Sequence, residues 1–228
     1  MSKAPRLYLI TDRNATGGRP LVDVVATALR GVAVSGLPAA RVAVQLREKD
    51  LPGRALTELA RRLRDVTAAA GVGLFVNDRI DVALAVGADG VHLGGTSLDA
   101  ATATSIAPHL AIAVSIHSAA EVAALRGPPP NPLPSIHTGG ERGPEIAFAL
   151  LGPIRDTPSK RAFGPPLGDA AVTEAARTGV PIVAVGGVGP EHARALRAAG
   201  AHGVACIRAV MAAPDPAAAV DAFCQELI

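Results

Sequence analysis

The sequence predicts a (β/α)8 TIM barrel, and three observations predict it. Short apolar runs alternate with segments of helical period, eight times along the 228 residues. The runs are continuously apolar, as parallel strands are when helices cover both faces. Each run stops abruptly in polar or charged residues, and in a barrel the residues after every strand's carboxyl end face one mouth. The length is ordinary for such a barrel. No break in composition divides the chain, so one domain over residues 1–228 is expected.

The elements follow in order. Leu7–Asp12 is a strand with a polar end, and Leu21–Val34 has helical spacing. Val42–Leu46 is the second strand and runs straight into Arg47-Glu48-Lys49-Asp50. Leu51–Ala70 is a helix with Leu56, Leu59, Ala60 and Leu63 on one face and charge on the other. Gly73–Val76, Gly90–Leu93 and Ala111–Val114 are strands, and Ile80–Val86 and Leu98–Ile106 are the helices between them. Ser118 with Glu121 forms a capping box for the next helix. The rhythm then breaks, because 126–143 is rich in Pro and Gly and has no period; it reads as an irregular insert. Ile146–Leu151, Pro181–Val185 and Gly203–Ile207 complete the strands. Asp169–Thr178, Pro190–Ala199 and Ala217–Leu227 complete the helices, with Pro190 at a helix start, where proline is tolerated.

Composition narrows the function. Apolar residues make up 49% of the chain and aromatics only 2%, so the core is expected to be built from Ala, Val and Leu. A formal charge of +2, with no basic tail and no aromatic–basic interleaving, gives no support to a nucleic-acid partner. No signal-peptide layout opens the chain and no apolar run is long enough to span a bilayer, so a cytoplasmic protein without a membrane partner is expected. Cys206 and Cys224 lack metal-ligand spacing and read as core thiols.

The chemistry is expected at the strand ends. Gln45, Arg47 and Lys49 share one face of extended chain because side chains alternate with period two. Two cations converging at the end of a buried strand call for an anion such as a diphosphate. Asn77 and Asp78 follow the third strand, Ser115 and His117 the fifth, and Thr157, Ser159 and Lys160 the sixth. Gly186-Gly187 and Arg208, after the last two strands, stand where such barrels commonly hold phosphate. Asp78 can hold Mg²⁺, a hard ion that bridges carboxylate and pyrophosphate oxygens. His92, inside a strand, reads as a satisfied core histidine.

On these residues the chain resembles the thiamine phosphate synthase family and its TenI-like thiazole tautomerase relatives. The matching stretches are LYLITD at 7–12, VQLREK at 44–49, FVND at 75–78, GADGVHLG at 87–94, SIHS at 115–118, GP at 152–153 with TPSK at 157–160, VGGV at 185–188 and GAHGVACI at 200–207. The resemblance implies a TIM barrel that joins a pyrimidine diphosphate to a thiazole phosphate with Mg²⁺ as cofactor. It implies that Gln45, Arg47, Lys49, Asn77, Ser115 and Lys160 bind the pyrimidine diphosphate. It places Thr157, Pro158, Ser159, Gly187, Ile207 and Arg208 at the thiazole phosphate, and Asp78 at the metal. The family's second metal-binding Asp is replaced by Ser97. Gly95, Arg155, Arg208 and the insert also depart from its pattern. The readings that follow are, in order, a synthase, a non-catalytic barrel that binds thiamine phosphates, and a thiazole tautomerase.

Overall fold

The computed structural model describes residues 4–118, 120–121, 146–157 and 165–228. Eight parallel strands close into a barrel in sequence order, β1 (Leu7–Ile10), β2 (Val42–Leu46), β3 (Gly73–Asn77), β4 (Gly90–Leu93), β5 (Ala111–Ile116), β6 (Ile146–Leu151), β7 (Ile182–Val185) and β8 (Gly203–Cys206), with β8 pairing back onto β1. Among the described residues the helices around it are α1 (Leu21–Ser35), α2 (Gly53–Ala69), α3 (Ile80–Ala85), α4 (Ala100–Ile106), α5 (Gly168–Ala176), α6 (Pro190–Ala198), α7 (Arg208–Met211) and α8 (Pro216–Gln225). The insert at 126–143 lies outside the described residues. The sequence reading runs the last strand through Ile207 and then directly to the final helix. The structure instead places the single turn α7 between them, and α8 starts where the Asp215 carboxylate accepts the amides of Ala217 and Ala218, with Pro216 in its first turn.

Period-two alternation divides each strand between two cores. Leu7, Leu9, Val44, Leu46, Leu74, Val76, Val91, Ile112, Leu151 and Val204 face outward to the helices. On α2, for example, Leu56, Ala60 and Leu63 are buried at helical spacing beneath an arginine-rich outer face. Tyr8, Ile10, Ala43, Phe75, Ala113, Phe148, Leu150, Val183 and Ala205 point inward and fill the barrel. The core is built mostly of Ala, Val and Leu, as expected from composition, but the barrel interior adds a cluster of rings. Three of the chain's five aromatic residues, Tyr8, Phe75 and Phe148, meet edge to face inside the barrel at ring separations of 5.2–5.6 Å. A closed eight-stranded barrel needs bulk on some strands and small side chains on others to fill its taper. Gly90 is such a small position: a Cβ there would lie 2.3 Å from the Phe75 ring. The aromatic residues are few but sit where bulk is needed, and composition alone cannot show placement.

Candidate active site

The aromatic layer is the floor of a polar funnel at the carboxyl ends of the strands. Continuing the inward face of β2 beyond Ala43 gives Gln45, then Arg47 and Lys49. Gln45 is fully buried and its Nε2 donates to Asn77 Oδ1 at 3.1 Å, across to the end of β3. On the next pair of strands, His92 Nε2 and the Ser115 hydroxyl are hydrogen-bonded at 2.9 Å. Three buried polar atoms around this level have no hydrogen-bond partner among the described residues: Tyr8 Oη, Gln45 Oε1 and His92 Nδ1. Buried polar atoms left unpartnered are costly, and three in one funnel mark a place shaped for a ligand with complementary donors and acceptors. His92 is therefore not the satisfied core histidine expected from its position in a strand. Its strand neighbours conceal it in the sequence, and only the inward direction of position 92 brings it to Ser115.

Burial pushes the His92 imidazolium pKa down to about 3, and the charges of Arg47 and Lys49 push it the same way. Both cations thus act on the interior although Lys49 is exposed and Arg47 half-buried. His92 is neutral at neutral pH. The folded chain binds fewer protons at His92 than the unfolded chain between the ordinary histidine value of 6.5 and about 3. Its contribution to stability is accordingly full above 6.5 and lost as pH falls through that window. We expect His92→Gln to flatten the fall of Tm on acidification between those limits, as read by calorimetry at a series of pH values; an unchanged acid limb would remove His92 as its cause.

Asp78 begins the turn after β3 in the left-handed region, at φ 66°, the one non-glycine among the described residues with positive φ. Its amide donates to His92 O at 2.9 Å, which holds the turn, and its carboxylate is exposed. An Asp tolerates this conformation better than most residues, and an observed outlier of this kind points toward function. Ser97 lies in the turn after β4, where its Oγ accepts the Gly94 amide at 2.7 Å. Among the described residues no group of three or more His, Cys, Asp or Glu side chains converges as a metal cage. The exposed Asp78 carboxylate still suits Mg²⁺, which takes one or two carboxylates and fills its remaining positions from substrate phosphates and water.

At the ends of β6 to β8 the backbone comes close. Gly186 and Gly187 have φ of 94° and 66°, and the loop after β6 lies against them, with the Arg155 amide donating to Gly186 O at 2.9 Å. A Cβ on Gly187 would lie 2.7 Å from Arg155 Cβ and 2.8 Å from Asp156 O, so the approach requires glycine. Arg155 itself reaches Asp169 at 2.7 Å, in the first turn of α5. Thr157 is half-buried in the same loop, Ile207 packs on the barrel's inner cluster, and Arg208 is exposed at the start of α7. Pro158, Ser159 and Lys160 lie outside the described residues.

Two residues not singled out in the sequence stand behind Arg47. Glu48 is buried, and Thr11 on the loop after β1 is fully buried; the Thr11 hydroxyl accepts the Arg47 amide at 2.9 Å and donates to Glu48 Oε1 at 2.7 Å. The signal was available in the alternation, which turns position 48 away from the mouth.

A closed parallel barrel with a funnel of cations, amides and an exposed carboxylate on one side of its mouth, and close-packed glycines on the other, defines a TIM-barrel enzyme of phosphorylated small molecules. The family profile described as thiamine monophosphate synthase matches residues 7–210. The chain belongs to this family. A thiamine-phosphate synthase of Roseiflexus castenholzii is 41% identical over 222 residues, covering 96% of this chain and 86% of that protein. One from Moorella thermoacetica is 37% identical over 218 residues, covering 93% and 91%. Among solved structures, a thiamine phosphate pyrophosphorylase from Pyrococcus furiosus superposes with a TM-score of 0.79 at 31% identity, covering 99% of this chain and 96% of that one.

Proposed function

We propose that this barrel joins a hydroxymethylpyrimidine diphosphate to a thiazole phosphate, giving thiamine phosphate and pyrophosphate. The observation that carries the reading is the pairing of Gln45 with Asn77 beneath Arg47 and Lys49, with Gln45 Oε1 left as a buried acceptor. An aminopyrimidine brings an exocyclic N–H₂ that supplies the donor this acceptor lacks, and the diphosphate then extends toward the two cations. His92 Nδ1 and Tyr8 Oη stand ready for the ring's remaining polar atoms.

In the reaction the C–O bond between the pyrimidine methylene and the diphosphate breaks, and its electron pair leaves with pyrophosphate. The thiazole nitrogen then donates its lone pair to the methylene carbon, and the new C–N bond completes thiamine phosphate. Charge develops on pyrophosphate, where Arg47, Lys49 and Lys160 supply positive charge; charge stabilisation at such a place is commonly the largest catalytic contribution. Asp78 is the residue suited to hold Mg²⁺, which when bound adds positive charge at the pyrophosphate oxygens. Gly187, Ser115, Thr157, Pro158, Ser159, Ile207 and Arg208 complete the two substrate sites, the last five with Gly187 at the thiazole phosphate. Among the described residues no helix is long and apolar enough to cross a membrane.

The deciding experiment supplies both substrates with Mg²⁺ and follows thiamine phosphate by chromatography. Turnover supports the synthase. Product binding without turnover points to a binding barrel, and isomerisation of a thiazole carboxylate phosphate without pyrimidine points to a tautomerase. Ser97→Asp is expected to raise Mg²⁺ affinity about tenfold, the order by which groups around a metal tune its binding. Titration with Mn²⁺ followed by electron paramagnetic resonance reads this directly, and no gain means that position 97 does not face the ion.

A further inference from the structure

Glu48 stands between the two cations of the funnel, yet its side chain is only 3% exposed and faces the opposite way. Its carboxylate accepts the Thr11 hydroxyl at 2.7 Å, the Arg13 amide at 3.2 and 3.3 Å, and the Arg13 guanidinium at 3.2 Å. Arg13 continues to Asp50, which it holds with both Nη atoms, and Asp50 lies below the ordinary carboxylate range for that reason. Thr11 closes the figure from the other side. Its hydroxyl accepts the Arg47 amide at 2.9 Å, and its own amide donates to Gln45 O at 2.9 Å. Every residue from Gln45 to Asp50 except Leu46 and Lys49 is thereby tied to the segment 11–13.

The Arg47 guanidinium and the Lys49 ammonium, by contrast, have no hydrogen-bond or ion-pair partner among the described residues. Long cationic side chains lose much rotamer freedom on binding an anion, so a rigid backbone beneath them limits what remains to be ordered. We propose that Glu48 is a positioning residue: through Thr11 and Arg13 it fixes the backbone that aims Arg47 and Lys49 at the diphosphate, without touching substrate itself. A buried carboxylate that accepts the Thr11 hydroxyl and both the amide and the guanidinium of Arg13 holds two residues of the segment by three groups at once, and charge-assisted bonds are the strong ones. An apolar residue at 48 would pack there but would leave Thr11 and the Arg13 amide without their acceptor.

This inference rests on Arg47 and Lys49 forming the diphosphate clamp, so its test separates the tether from the clamp. Three variants are compared with the wild type: Glu48→Ala, Glu48→Gln and Thr11→Val, the last of which keeps the shape of Thr11 but removes the hydroxyl. Amide exchange at Arg47 reads the tether; pyrophosphate affinity by calorimetry reads the clamp; KM for each substrate reads the selectivity. We expect Glu48→Ala and Thr11→Val to speed exchange at Arg47. Glu48→Ala should weaken pyrophosphate binding and raise the KM for the pyrimidine diphosphate by about tenfold, the effect of about 1.4 kcal/mol. KM for the thiazole phosphate should stay within about twofold, and Glu48→Gln, which keeps an acceptor for Thr11 and Arg13, should recover most of the loss. Faster exchange with unchanged pyrophosphate affinity would overturn the proposal and leave Glu48 a purely structural residue. If Glu48→Ala does not fold, Thr11→Val with Glu48→Gln carries the same comparison. A wild type that neither binds pyrophosphate nor forms thiamine phosphate overturns the functional reading instead, and the exchange arm still reports whether the tether exists.

Discussion

Arg47→Ala is expected to lower kcat/KM for the pyrimidine diphosphate by about 10²–10³, the range seen when one preorganised charge stabiliser is removed from a reacting anion. Pyrophosphate affinity should fall by about tenfold to a hundredfold, because a hydrogen bond to a charged group contributes about 1.5–3 kcal/mol. The KM for the thiazole phosphate should change little. Tm should hold as well, since the guanidinium has no protein partner among the described residues and the structural bonds of position 47 run through its amide to Thr11. Arg47→Lys should recover only part of the loss, because an ammonium lacks the planar fork that grips two phosphate oxygens. A second signature follows from the interior. Arg47 holds the His92 pKa down, so its removal should let that pKa rise. Unchanged pyrophosphate affinity in Arg47→Ala would show that the anion binds elsewhere.

Gly187→Ala should injure the other half of the mouth. A left-handed φ of 66° costs an L-residue about 1–2 kcal/mol, and the added Cβ would press on Arg155 Cβ and Asp156 O at 2.7 and 2.8 Å. Tm should drop by about 2–8 °C from the backbone cost alone, given about 2–4 °C per kcal/mol for a chain of this size. The loop after β6 must shift to make room, so the KM for the thiazole phosphate should rise about tenfold or more, while pyrophosphate affinity stays within about twofold. Steady-state kinetics in both substrates tests this. Equal loss for both substrates would mean that the glycines do not serve the thiazole side alone.

How far the sequence reveals these features depends on which physical rule each feature obeys. Strand direction and barrel closure follow from period and alternation, so β2, β4 and β6 fall at 42–46, 90–93 and 146–151 as their apolar runs predict. Arg47 and Lys49 were visible for the same reason, because two cations at alternate positions share a face. Other features depend on partners far along the chain. Glu48 reads as surface charge until Thr11 and Arg13 are placed 37 and 35 residues away in sequence. His92 reads as core until the neighbouring strand brings the Ser115 hydroxyl to its Nε2, two residues beyond its ladder partner Ala113. The single turn α7 was hidden because four residues are too few to show a helical period. The left-handed backbone of Asp78 is equally silent in a sequence, since nothing in the residue type requires it.

The ring cluster of Tyr8, Phe75 and Phe148 closes the barrel beneath the mouth and acts as a depth stop. On the proposed reading, a flat heterocycle descending past Arg47 would meet aromatic edges, and its reactive methylene would be held toward the rim, where the second substrate arrives. Positive charge developing at that carbon as the pyrophosphate departs would be shielded by the rings from below, so the choice between coupling and hydrolysis would pass to whatever occupies the rim.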